Sequence, residues 1–184
     1  TLLSLSSRFA SSPNDAYAAL STADMKHPTV RLSTGEEVML TYGQYRAILS
    51  TNRQQADRAT AFKAYHGVYQ AAANTYASLY NGVLQRDWFY AQARGYRSTL
   101  EAALHGNNIP TSVVENLIAE AKAGSEPLRR YHRLRKQALG LDTYHTYDTT
   151  IPIADVDRKY PYDQVLEWLP ASVAPLGSDY QRLM

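Results

Sequence analysis

The sequence predicts a mainly α fold: a helical lobe with one long helix at about 53–94, several short antiparallel helices and one β-hairpin at about 29–41. Three observations carry this prediction. Phe62, Tyr65, Tyr69, Ala72, Tyr76, Leu79 and Val83 recur in alternating steps of three and four, the period of one helix face. Farther along, Gly95, Gly106-Asn107-Asn108, Pro110, Gly124 and Gly140 cut the chain into short helical pieces, because glycine and asparagine favour helix ends and proline cannot continue a helix. Only one pair of segments reads as strands, Val30-Arg31-Leu32 and Glu37-Val38-Met39-Leu40, flanking the turn Ser33-Thr34-Gly35-Glu36.

In chain order, a helical stretch near Asp15 to Asp24 precedes the hairpin. Thr41 and Gln44 form a capping box that opens a helix to about Ser50. Thr51-Asn52 offers a cap for the long helix, which meets no proline before Pro110 and would span roughly 60 Å at 1.5 Å per residue. Tyr65, Tyr69, Ala72 and Tyr76 form its expected buried stripe, packed within the same protein because the flanking positions lack the charge complementarity of a dimeric zipper. Gly95 is expected to end this helix in the left-handed conformation, with Arg94 in its last turn. Ser98 with Glu101 opens the next helix, which runs to about His105. Ser112 with Glu115 opens another, Val113 to Ala123. Ser125 and Pro127 start "EPLRRYHRLRKQAL", which Gly140 ends, and "GSDYQRLM" reads as one more helix start. Connections this short, with no Pro/Gly/Ser-rich linker, predict a single lobe over residues 1–184.

Composition narrows the function classes. With 45% hydrophobic and 20% charged residues the 184-residue chain can bury a sizeable core. Nineteen basic against seventeen acidic residues leave a net charge of +2, which gives the chain as a whole no drive toward nucleic acid or a membrane surface. Cysteine is absent, so disulfides, thiolate zinc sites and cysteine nucleophiles are excluded, and a reducing, cytoplasmic setting fits. No apolar run is long enough to span a bilayer. The start, Thr1-Leu2-Leu3-Ser4, lacks both an initiator methionine and a cationic leader, so the native N-terminus is expected to lie elsewhere, and an exported form stays open. A helix start at the very end points the same way, toward a fragment.

The candidate chemistry is sparse. The five histidines, His27, His66, His105, His132 and His145, include no His-Glu-x-x-His pair, and no glycine-rich phosphate loop or nucleophile elbow occurs, so neither catalytic nor metal-binding residues are expected in this chain. Arg129, Arg130, Arg133, Arg135 and Lys136 place five cations on one short helix, where they could meet phosphates or the carboxylates of an acidic peptide. The favoured alternative is a solvated basic face with Leu128, Tyr131, Leu134 and Ala138 turned to the core. In "LDTYHTYDTTIPI", the residues Tyr144, His145, Tyr147 and Asp148 gather polar aromatics beside an acid, able either to line a groove that hydrogen-bonds a peptide or to form a wall buried against a neighbouring domain.

The segments "ARGYRSTLEAALHGNNIP" and "LGLDTYHTYDTTIPI", supported by "RAILST", "LRRYHRLRKQAL" and "KYPYDQVLEWL", resemble oligoendopeptidase F, a branch of the thimet oligopeptidase-like zinc metallopeptidases, over about Pro28 to the last residue. The resemblance implies that this chain is the N-terminal and middle part of the family's helical shell around a substrate channel. It implies a parent zinc metalloendopeptidase acting on short peptides, with Tyr144, His145, Tyr147 and Asp148 as substrate-channel candidates. The family's His-Glu-x-x-His and its downstream glutamate are missing here, so zinc is expected in a C-terminal part of the same protein, beyond residue 184, and this chain alone is expected to be inactive. The alternative is a non-catalytic helical module that binds a peptide or protein.

Overall fold

The computed structural model describes residues 10–154 and 159–183, so the opening residues Thr1–Ser4 lie outside it. Packing groups the chain into two compact units, Thr1–Ile153 and Ala154–Met184. In the first, α1 (Ser12–Ala18) continues into a π-helical segment (Ala19–Asp24), followed by β1 (Thr29–Arg31), β2 (Glu37–Met39), α2 (Tyr42–Thr51), α3 (Gln55–Ala71), α4 (Ala73–Ala93), α5 (Thr99–His105), α6 (Thr111–Ala123), α7 (Glu126–Ala138) and a 3-10 turn (Thr146–Asp148). The second holds α8 (Tyr162–Ser172), a 3-10 turn (Ala174–Leu176) and α9 (Ser178–Leu183), with Gln181 of α9 donating to the Pro170 carbonyl (2.9 Å). The fold is mainly α, with one hairpin.

That hairpin is antiparallel, Val30 opposite Val38, and Gly35 turns it at φ +87. Its alternation sends Val30, Leu32 and Leu40 inward, where they cluster with Tyr45, Ile48 and Leu49 of α2 and Ala61 of α3. Asp57 of α3 ties the turn to this core: the Ser33 N–H and hydroxyl donate to its carboxylate (both 2.8 Å), as does the Asn52 amide (3.0 Å). Burial alone would raise the Asp57 pKa, but the bonds from Ser33 and Asn52 outweigh it and hold the carboxyl below its ordinary range. A depressed folded pKa stabilises the fold above the ordinary carboxylate range, and that contribution is lost as pH falls through the lowered value. Asp57→Asn is therefore expected to lower stability at neutral pH and to flatten the acid limb below about pH 4 in urea titrations. An acid limb of unchanged slope would contradict the assignment.

The long helix forms as one bent run. Its hydrogen bonding tightens at Ala72, whose N–H donates to the Tyr69 carbonyl (3.1 Å), and whose backbone (φ −108, ψ 22) separates α3 from α4. The two halves serve different partners: α3 packs on the hairpin core, while α4 packs on α1, with Pro13 against Gly82 and the Tyr17 ring edge-on to Tyr76 at 5.9 Å. Ala71-Ala72-Ala73 carries nothing beyond Cβ to brace the joint between them. The expected stripe is only half buried at Tyr65, Tyr69, Ala72 and Tyr76, and the enclosed residues of this run are Asp57, Arg58, Ala61 and Ala91. The tyrosines instead meet one another along the helix in tilted ring contacts, Tyr65 to Tyr69 at 5.6 Å and Tyr69 to Tyr76 at 5.7 Å, and stay partly in water. A hydrogen bond with the Tyr65 hydroxyl (3.2 Å), reinforced by burial, pushes the Tyr69 pKa up to about 12.

Gly95 ends α4 as expected. At φ +75 its N–H donates to the Gln92 carbonyl and that of Tyr96 to the Ala91 carbonyl (3.1 and 2.9 Å), the paired bonds of a Schellman cap. A Cβ at Gly95 would meet nothing within 4 Å, so Gly95→Val should cost only the left-handed backbone penalty, about 1–2 kcal/mol. An unchanged melting midpoint would show the cap to be dispensable. At the second interruption the left-handed residue is Asn108 (φ 51), while Gly106 keeps helical angles. Ser98 caps α5 by accepting from the Glu101 N–H (3.0 Å), but the expected Ser112/Glu115 box is not formed: α6 starts at Thr111 after the extended Pro110, which places Ser112 inside the helix.

The expected inward face of α7 is reversed. Leu128, Tyr131 and Leu134 are 59%, 50% and 55% exposed, whereas Arg135 is 6% exposed. The guanidinium goes inward because the segment after Gly140 offers it carbonyl and phenol oxygens that an aliphatic side chain could not satisfy.

Candidate functional site

The segment Leu141 to Ile151 leaves α7 through a second Schellman cap at Gly140 (φ +64) and folds back onto α3. Asp148 is its anchor. It is 0% exposed, and Arg58 donates to one carboxylate oxygen from Nη2 and Nε (2.6 and 3.2 Å). The other oxygen accepts from Gln55 Nε2 (2.9 Å) and from the His145 backbone N–H (2.8 Å), which closes the 3-10 turn. Arg58 also donates from Nη1 to the Asn52 carbonyl (2.8 Å), so the start of α3 and this segment are held by one ion pair.

A second arginine holds the same segment from the other side. Arg135 Nη2 donates to the carbonyls of Asp148 and Ile151, Nε to the Tyr144 hydroxyl (3.1 Å) and Nη1 to the Tyr131 hydroxyl (3.3 Å). Burial disfavours the Arg135 cation, yet the two phenols more than offset it, and the pKa is raised. His132 Nδ1 lies 3.4 Å from the Tyr144 oxygen.

The four sequence candidates therefore lie in one segment but in different environments. Asp148 is enclosed and fully engaged, so its part is to fix the segment. Tyr147 is half-buried against Phe62 (5.6 Å) and stacked on His145 (4.8 Å), with its pKa raised by burial and the Asp148 charge. His145 is exposed, its Nε2 3.0 Å from Thr143 Oγ1, and Tyr144 is half-buried beside Arg135. Gln55 and Arg58 escaped sequence reasoning, and Arg135 was singled out only as one of five cations on the α7 face. Arg58 lies 90 residues from Asp148, and no local pattern links the two.

Among the described residues no three His, Cys, Asp or Glu side chains gather as a ligand set. No described helix is long and apolar enough to cross a membrane.

Residues 48–173 match Peptidase family M3. The chain belongs to that family. Among M3-type relatives, it is 32% identical over 184 residues to Oligopeptidase PepF of Bacillus subtilis, covering 100% of this chain and 27% of that protein. It is 31% identical over 179 residues to Group B oligopeptidase PepB of Streptococcus agalactiae, covering 97% of this chain and 30% of that one. The crystal structure of oligoendopeptidase-F from Enterococcus faecium superposes with a TM-score of 0.82 at 31% identity, over 98% of this chain and 34% of that one. The resemblance to oligoendopeptidase F thus holds in sequence and in fold, and the chain spans about a quarter to a third of the length of the relatives it matches.

Proposed function

We propose that this chain is the N-terminal substrate-channel lobe of a zinc metallo-oligopeptidase that hydrolyses internal bonds of short peptides. The observation that carries this is the fit of nearly the whole chain, at a TM-score of 0.82, onto about a third of an oligoendopeptidase-F. The zinc-binding residues would lie C-terminal to this lobe in the same protein, since the side chains present here do not fit the metal. Short peptides and that C-terminal part are the partners; nucleic acid and membrane are not. A reducing, cytoplasmic setting suits a chain without cysteine.

In this role the lobe binds and orients. The segment carrying Tyr144, His145 and Tyr147 is held by Arg58 and Arg135, so its hydroxyl and imidazole groups need little reordering to meet a peptide. Asp148 contributes by holding that segment. The test is reconstitution with an internally quenched peptide. The chain alone is expected to leave it intact, and addition of the separately produced C-terminal remainder is expected to give cleavage that a chelator abolishes. Chelator-insensitive cleavage by the chain alone would overturn the proposal, as would intact peptide in a mixture whose two parts co-migrate.

A further inference from the structure

Among the described residues of the first unit two arginines are buried, Arg58 and Arg135, and they are treated differently. Arg58 has a carboxylate at 2.6 Å, whereas Arg135 has none within ion-pair distance among the described residues. Its contacts are all neutral, two carbonyls and two phenols, and its Cζ also lies 5.7 Å from the Tyr131 ring centroid. Burying a guanidinium without an acid leaves its charge uncompensated, so its field reaches the surface through whatever it touches. It touches two hydroxyls. Each accepts from the guanidinium; the Tyr144 oxygen also has His132 Nδ1 at 3.4 Å, whereas the Tyr131 O–H has no further partner among the described residues and is a donor polarised by the cation behind it.

Tyr131 is half in water and rims a hollow of about 310 Å³ whose wall includes Pro127, Leu134, Arg130 and Glu126. The single acid of that wall, Glu126, makes an exposed pair with Arg133 at 2.5 Å. Arg130 has no acid within ion-pair distance among the described residues, and Arg129 and Lys136 stand on the same helix. An apolar floor, the Tyr131 O–H donor and an excess of cation together describe a receptor for an anion that carries an apolar group.

We infer that the Arg130, Tyr131 and Arg135 corner of α7, with the Pro127 and Leu134 hollow beside it, is a subsite for a peptide carboxylate with an apolar side chain next to it. The choice of a peptide as the carrier of that carboxylate rests on the oligopeptidase proposal. The carboxylate accepts from Arg130 and from the Tyr131 hydroxyl, the buried Arg135 supplies the field that favours it, and the hollow takes the neighbouring side chain. Such a corner would fix where a bound peptide ends, or where its acidic residue lies, relative to the Tyr144 to Tyr147 segment.

The test is binding to the 184-residue chain with three probes: N-acetyl-Gly-Leu, its C-terminal amide, and N-acetyl-Asp-Leu amide, followed on the Arg135 Nε–H resonance by NMR. The free acid is expected to give a saturable shift and the neutral amide none. Tyr131→Phe and Arg130→Gln, both at exposed positions, are each expected to weaken the acid about tenfold, the loss of a charge-assisted hydrogen bond. Binding by the free acid alone assigns the corner to a peptide C-terminus, and equal binding by the aspartyl amide assigns it to acidic side chains. Equal shifts from the acid and the neutral amide, or full affinity in both variants, would overturn the inference. No catalytic readout enters, so failed reconstitution of peptidase activity would remove the oligopeptidase proposal and leave a positive carboxylate result standing.

Discussion

Asp148→Ala is expected to lower folding stability by about 3–5 kcal/mol, the usual cost of breaking a buried pair and leaving one charge alone. The side chains of Arg58 and Asp148 are 2% and 0% exposed, so water cannot replace the lost carboxylate. Gln55 Nε2 and the His145 N–H lose an acceptor in the same step. Taking out both charges should cost less than taking out one: Arg58→Met with Asp148→Leu removes the stranded cation, and apolar replacement of a buried pair is often neutral or stabilising. The check is a set of urea transitions for wild type, both single variants and the double, with the coupling read from the cycle. A loss under about 1 kcal/mol in Asp148→Ala would mean that solvent reaches Arg58 when the acid is absent. Amide exchange at His145 should also quicken in Asp148→Ala, because its acceptor is gone.

How far the sequence reveals this molecule depends on the range of the interaction concerned. Several helix ends set by a few neighbouring residues were legible, although the Ser112/Glu115 box did not form. Gly95, Gly140, Ser98 with Glu101, and the Gly35 turn all act over a span of about five residues. The periodicity of Phe62 to Val83 identified the helical run but not its bend at Ala72, because the bend comes from the separate partners of α3 and α4, the hairpin and α1. The same periodicity misjudged burial, since it counts tyrosine as core although a tyrosine in tilted contact with its neighbour can stay partly in water. On α7 the pattern failed by sign: Arg135 looked like one of five surface cations, and only the fold-back after Gly140 creates the oxygens that draw it inward. The candidate segment was legible as a cluster of residue types. The division between enclosed Asp148 and exposed His145 was not, because it depends on Gln55 and Arg58, some 90 residues earlier.

That reversal supplies the other large effect. Leu40→Ala is expected to cost about 2–5 kcal/mol, while Leu134→Ala should change stability by about 0.5 kcal/mol or less, although both are leucines in regular or near-regular backbone. Leu40 is 0% exposed and lies where the hairpin, α2 and α3 converge, with its N–H bonded to the Pro28 carbonyl at 2.8 Å. The surrounding Val30, Leu32, Tyr45, Ile48 and Ala61 are fixed by strand pairing and helix backbone, so little can collapse into the space a removed isobutyl group leaves. Leu134 is more than half in water and loses little on truncation. Thermal and urea unfolding of the two variants side by side decide the matter. A large loss for Leu134→Ala would mean that the α7 face is covered in solution, as the original apolar pattern expected, and a small loss for Leu40→Ala would mean that the core of this unit does not sit under the hairpin. Leu134 lines the hollow beside Tyr131, so the same variant should bind N-acetyl-Gly-Leu more weakly without being less stable, a separation that a purely structural leucine would not show.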